Sequence, residues 1–197
     1  MFRVLHPTAG NIADTLYFNR PQKGIKSDAL YSLIGLGNVH FFAKVAVNDS
    51  TGGVILGAVH ERTSLPVTCV YTDKVKDHAL KYYGIRKFGN ERLVYKEVGT
   101  LDEEFDSIIV SCKELGTFQK MFEKLRGSGT FVAFNQDILV GARINEWIMA
   151  QGLGANVVFE ELWSREYQVL PQRTHPDMVS RNGTSAGYII SGIKITQ

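Results

Sequence analysis

Trp163-Ser-Arg-Glu-Tyr-Gln-Val-Leu-Pro-Gln-Arg-Thr-His-Pro176 and Ser185-Ala-Gly-Tyr-Ile-Ile-Ser-Gly192 close the chain. The first stretch reads as a strand running into an exposed basic loop. The second reads as a glycine-punctuated return strand, which Ile193-Lys-Ile-Thr196 extends. Together they predict an antiparallel pair, Val157 to Leu170 against Ala186 to Thr196. Everything upstream has another rhythm, in which apolar strands alternate with amphipathic helices, the pattern of a parallel sheet with flanking helices.

Working outward from that pair, Thr8 to Asn19 and Ser27 to Leu36 predict two opening helices. Ser27 and Asp28 suit the N-cap of the second, and Gly37 suits its stop. Phe42 to Val47 is a first strand, Asn48-Asp-Ser-Thr-Gly-Gly53 a turn, and Val54 to Arg62 a helix. Pro66 to Tyr71 is a second strand that ends in Thr72-Asp73, and Lys74 to Tyr83 a basic helix. Arg92 to Val98 and Asp106 to Cys112 supply strands three and four. A helix from Thr117 to Arg126 stops at Gly127-Ser-Gly129, Thr130 to Phe134 is the fifth strand, and Ile138 to Ala150 the longest helix. The expected fold is α/β and Rossmann-like: a mostly parallel seven-stranded sheet, helices on both faces, and a C-terminal antiparallel hairpin. It forms a single domain over 1–197, with a helical lead-in over 1–38 and the core over 39–197.

At 197 residues and 44% hydrophobic, the chain can bury one substantial core. The net charge of +2 announces no nucleic-acid partner, but its distribution is uneven. Residues 1–98 carry thirteen basic against eight acidic side chains, and the remainder nine against twelve. The basic excess sits largely in Lys74, Lys76, Lys81, Arg86, Lys87, Arg92 and Lys96, which fits a solvated helix face or an RNA-facing patch. Cys69 and Cys112, the two cysteines, fall in apolar runs and read as buried thiols rather than zinc ligands. No signal peptide or membrane-spanning run is evident. Phosphate-loop, His-Glu-x-x-His and Gly-x-Ser-x-Gly patterns are all missing, and the five histidines are scattered.

Tyr-Gln-Val-Leu-Pro-x-Arg-Thr-His-Pro176 resembles the end of the non-catalytic, tRNA-binding subunit of the eukaryotic tRNA (adenine-58-N1) methyltransferase. Leu5-His-Pro, Leu16-Tyr-Phe-Asn-Arg-Pro21, Leu36-Gly-Asn-Val39 and Gly53-Val-Ile-Leu-Gly-Ala-Val-His-Glu-Arg62 carry the likeness along the rest of the chain. The resemblance implies the C-terminal, methyltransferase-like domain of such a subunit, without the family's N-terminal barrel domain. Many family members also carry a long acidic insertion after the third strand, where this chain has only Thr100 to Glu104.

A methyltransferase of this class needs a glycine-spaced loop after its first strand, because only there can the backbone come close to S-adenosylmethionine. It also needs an acidic residue after the second strand for the ribose hydroxyls, and a polar or acidic group at the end of the fourth for the target base. Asp49, Thr51, Gly52, Gly53 and Asp73 stand at the first two places as a vestige of that site. The loop fits a tight turn with a packing glycine, and Asp73 fits an N-cap as readily as a ribose contact. At the third place Ser111 and Cys112 replace the family's aspartate, and no proline follows. A hydroxyl or thiol cannot supply that carboxylate's hydrogen-bond acceptance, and Glu114 lies two residues too far along.

The expectation is therefore a chain with no catalytic residues, no metal and no bound cofactor, S-adenosylmethionine being used by the partner subunit. The family implies a catalytic paralogue as partner, two of each in a heterotetramer, tRNA as ligand, and the nucleus as location. Arg165, Arg173, His175 and Arg181, on or beside the closing loop, are the candidates for tRNA phosphates or for the subunit interface. Trp163, Tyr167 and Tyr188 fit hairpin core or interface better than base stacking. The competing expectation is an active S-adenosylmethionine-dependent RNA methyltransferase that uses Asp49, Asp73 and Glu114.

Overall fold

The computed structural model describes residues 7–19, 24–75, 77–86, 90–163, 167–176 and 185–196. Its strands are β1 (Val45–Asn48), β2 (Val67–Tyr71), β3 (Leu93–Glu97), β4 (Phe105–Val110), β5 (Leu125–Asn135), β6 (Gly154–Trp163), β7 (Tyr167–Leu170), β8 (Arg173–Pro176) and β9 (Ser185–Lys194). The helices are α1 (Ala9–Asn19), α2 (Ser27–Leu36), α3 (Val54–Arg62), α4 (Leu115–Glu123) and α5 (Ile138–Ala150). Seven strands form one sheet in the order β3-β2-β1-β4-β5-β9-β6. The first five are parallel, and β9 inserts antiparallel between β5 and β6.

Side-chain alternation along the strands divides the core in two. Val45, Val47, Ile109, Val132, Phe134 and Ile189 face one layer, where Leu30 and Leu33 of α2 and Ile55 and Val59 of α3 cover them. Ala46, Ile108, Val110, Phe131, Ala133 and Ile190 face the other, under Phe118 and Met121 of α4 and Ile144 and Ile148 of α5. Helices thus lie on both faces, as the pattern predicts. On the second face Phe118, Phe122, Phe131 and Trp147 meet edge-on or tilted, with ring centroids 5.4–6.1 Å apart.

Several local expectations need correcting. The N-cap of α2 is Lys26, which makes no side-chain cap. Instead Asp14 on α1 accepts from the Ser27 N–H at 2.8 Å. α2 does stop at Gly37, its C-cap, but Asn38 takes the left-handed position (φ 48°) that follows. The Asn38 and Val39 amides donate back to Gly35 and Ile34, while Gly37 stays right-handed.

The basic helix expected over Lys74 to Tyr83 shrinks to a 3-10 segment, His78–Tyr83, whose N-cap position is Asp77 rather than Asp73. There the Ala79 N–H donates to the Gly52 carbonyl at 2.9 Å, and this contact with another loop overrides local propensity. α4 ends at Glu123, before Gly127, because Leu125 already pairs with Phe105 and opens β5.

The closing strand also divides. β6 stops at Trp163, and the basic loop is a separate two-stranded hairpin, β7 with β8. Leu170 pairs with Arg173 across Pro171 and Gln172, the latter at φ 63°, so proline and a left-handed residue close a two-residue turn.

Candidate functional site

β1 feeds β2 and β3 to one side of the sheet, and the chain then crosses back to β4, so strand order reverses between β1 and β4. The carboxyl ends of strands at such a reversal splay apart and leave a crevice. Here it is a cleft of about 780 Å³, lined by the β1–α3 loop, by the residues after β4 (Ser111 to Lys113) and by those after β5 (Asn135 to Asp137).

The β1–α3 loop is folded inward on its own carboxylate. Asp49 accepts from the Thr51 N–H and the Thr51 hydroxyl, both at 2.6 Å, and from the Leu56 N–H at 2.9 Å. It thereby satisfies donors of the loop and of α3's first turns. Burial pushes its carboxyl above the usual carboxylate range, against the pull of these donors.

Gly52 and Gly53 adopt φ 84° and 100°, a conformation costly for any other residue. The space that their missing side chains leave is filled from across the cleft mouth. A β-carbon on Gly52 would run into the His78 ring, and one on Gly53 would lie 3.0 Å from the Asp77 Cα. The turn glycines thus admit the segment 77–79.

At the end of β4, the buried Ser111 hydroxyl lies 2.6 Å from the Ser50 hydroxyl, which joins β4 to the β1–α3 loop. Cys112 is also buried. Its thiol donates to the Glu114 carbonyl at 3.1 Å, and burial pushes it up to about 11, so it is uncharged at neutral pH. The Asn135 amide donates to the Cys112 carbonyl and holds β5 to the same turn. Asp137 is the carboxylate lining the cleft, and it accepts from the Leu139 N–H at 2.9 Å as the N-cap of α5.

The structure brings Thr51 and Gly52 into the cleft lining but leaves the other proposed carboxylates outside it. Asp73 is exposed beyond β2, and Glu114 is exposed at the start of α4. Arg173 and His175 lie on β8, with Arg173 exposed and the His175 imidazole 2.8 Å from the Pro176 carbonyl. Arg165 and Arg181 fall outside the described residues. Tyr188 packs edge-on to Phe159 at 6.1 Å, as hairpin core should, whereas Trp163 and Tyr167 are 56% and 57% exposed.

The sequence reading missed the place of His78, whose ring stands against Gly52, and the Ser50–Ser111 pair, which lies 61 residues apart in the chain.

A five-stranded parallel sheet extended by an inserted antiparallel strand, with its cleft at the strand-order reversal, defines a Rossmann-like methyltransferase fold. Solved structures agree. The tRNA (m1A58) methyltransferase TrmI from Aquifex aeolicus superposes with a TM-score of 0.77 at 18% identity, over 100% of this chain and 79% of that one. A SAM-dependent O-methyltransferase from Thermotoga maritima gives 0.79 at 17% identity, over 98% and 73%.

Within that class, the chain is 21% identical to the tRNA (adenine(58)-N(1))-methyltransferase non-catalytic subunit trm6 of Dictyostelium discoideum, across 99% of its own length. The resemblance carried by the closing segment therefore extends over the whole chain, and relates it to the tRNA m1A58 methyltransferases. The chain spans about half (51%) of that relative's length. No family model matches.

Proposed function

We propose that the chain is the methyltransferase-fold part of a non-catalytic subunit, which binds tRNA and scaffolds the catalytic S-adenosylmethionine-binding subunit of a tRNA (adenine-58-N1) methyltransferase complex. The end of β4 carries this reading. Where a base-positioning carboxylate is needed, it offers a serine hydroxyl already paired with Ser50 and a buried, protonated thiol. Neither accepts a hydrogen bond from an adenine amino group as a carboxylate does.

The opposite wall supports the same reading. Asp49 spends its acceptors on its own loop, and His78 stands over Gly52, where a cofactor's close approach would need open backbone. The competing reading, an active RNA methyltransferase using Asp49, Asp73 and Glu114, requires three carboxylates of which none lines the cleft.

On this reading the partner is the catalytic paralogue, two copies with two, acting in the nucleus. The exposed β7–β8 hairpin, with Arg173 and His175, faces that partner or the tRNA.

The test is a calorimetric titration of the purified chain with S-adenosylmethionine, alongside an active tRNA methyltransferase. The expected result is no heat up to about a hundred times a micromolar dissociation constant, and tRNA methylation only once the catalytic paralogue is added. A saturable one-to-one isotherm with methylation by the chain alone would move the active-enzyme reading into first place.

A further inference from the structure

Of the eight described cations in residues 1–98, four are held by carboxylates or backbone carbonyls. Lys44 pairs with Glu103 at 2.8 Å, and Lys96 with Asp102 at 2.5 Å and Glu103 at 3.2 Å. Arg92 donates to the carbonyls of His60 and Thr63, and Arg62 donates to Val39. Lys26 lies over the Tyr17 ring at 5.4 Å, as Lys81 does over Tyr82. Lys74, Lys81 and Arg86 are exposed, and none pairs with a carboxylate among the described residues.

All three lie on the β2–β3 crossover, where the described helical segment is the short 3-10 turn His78–Tyr83 rather than an α-helix. Lys81 and Arg86 border an open cleft of about 690 Å³, floored by Leu80 and Ile85. His78 lines this cleft and also the larger one at the strand-order reversal, so the two adjoin. Asp77, the carboxylate in its wall, accepts from the Tyr95 hydroxyl at 2.9 Å; Asp73 and Glu91, the other acids of the crossover, are exposed near its two ends and do not line the cleft. Tyr82 stands 47% exposed on the same turn, with the Lys81 ammonium 4.9 Å from its ring centre.

The far edge of the sheet carries Glu160 and Glu161 on β6, and α5 beside it carries Glu146 together with Arg143. A polyanion is therefore favoured on the β2–β3 side over the β6 edge.

We propose that the β2–β3 crossover is an RNA-backbone site, at which Lys81 and Arg86, supported by Lys74, hold successive phosphates along the smaller cleft. The inference deepens the tRNA-binding reading and rests on it. It places RNA on a surface separate from the β7–β8 hairpin. Uncompensated lysine and arginine bordering an open groove bind phosphate without base readout, so their effect is dependent on salt and tolerant of sequence.

The experiment is fluorescence anisotropy of the full chain with an unmodified tRNA transcript at several KCl concentrations. Wild type is compared with Lys81→Gln/Arg86→Gln and, separately, with Arg173→Ala/His175→Ala. The Lys81/Arg86 variant is expected to bind roughly ten-fold or more weakly at low salt, with a slope of log affinity on log salt reduced by about two. Its melting temperature is expected to be unchanged, because both side chains are exposed and lack carboxylate partners.

An unchanged affinity and slope in that variant, with the wild type binding tRNA, overturns the site and leaves the tRNA-binding reading standing. An unaltered chain that binds no tRNA, alone or with its partner, overturns both. Displacement of the transcript from wild type, but not from the Lys81/Arg86 variant, by an equal concentration of polyglutamate would assign the groove to an acidic protein segment and overturn the RNA assignment.

Discussion

Cys112 shows how little of a residue's chemistry its type decides. On an exposed loop it would be a reactive thiol, but here it is buried beneath the β4 turn and bonded to a carbonyl. Its folded-state value of about 11 lies above the ordinary 9.0, so the folded chain keeps a proton that the unfolded chain loses. Stability from this group is therefore full below pH 9 and declines as pH rises towards 11. The difference in urea-unfolding free energy between wild type and Cys112→Ala should shift by about 1 kcal/mol against wild type between pH 9 and 10. A difference that is flat across that interval would mean the thiol is not shielded.

Asp49 makes the same point with the opposite chemistry. A carboxylate after the first strand suggests a cofactor contact in the sequence, yet three short-range donors claim it for the loop. No sequence pattern shows which donors a carboxylate will meet.

At the scale of elements, the parallel strands and their helices follow from apolar periodicity, and their boundaries mostly fall within a few residues of the expectation. The misses have tertiary causes. The 74–83 helix is lost because its backbone is bonded to the Gly52 loop, and α4 is cut short because Leu125 is claimed by β4.

α4 is then held at its end by a distant residue. Lys194 on β9 donates to the carbonyls of Phe122, Glu123 and Leu125 at 2.6–3.2 Å, and its ammonium lies 5.1 Å from the Phe122 ring centre. A cation on the last carbonyls of a helix satisfies acceptors that the helix cannot, and favours the negative end of its dipole. Lys194→Met, which keeps the stem and removes the donors, should cost about 1–2 kcal/mol in urea unfolding. A cost near zero would show that water replaces the ammonium at all three carbonyls.

At the scale of the whole molecule, the packed body and the β7–β8 hairpin behave as different materials. The body buries two layers of aliphatic and aromatic side chains. On the hairpin Val169 is 75% exposed, Tyr167 57% and Leu170 42%. Exposed valine and leucine on a two-stranded ribbon contribute little to the isolated chain, because a lone hairpin is marginal in water. Val169→Asp should therefore leave the melting temperature of the isolated chain unchanged and, on the proposed scaffold reading, sharply reduce co-purification with the catalytic paralogue. A clear fall in melting temperature would show that the hairpin packs on the body instead.

The sequence by itself determined the α/β class, the number of sheet strands, the helices on both faces and the lack of an acidic residue directly after β4. These are properties of periodicity and of single positions, which a linear reading resolves. Only the tertiary structure decided that the basic loop is a hairpin of its own. It alone decided that Ser50 meets Ser111 and His78 covers Gly52, and which cations remain unpaired. Each of those facts depends on groups far apart in the chain arriving at one place. Hydrogen bonds and ion pairs act over about 3–4 Å, so sequence alone cannot say which partners come within reach.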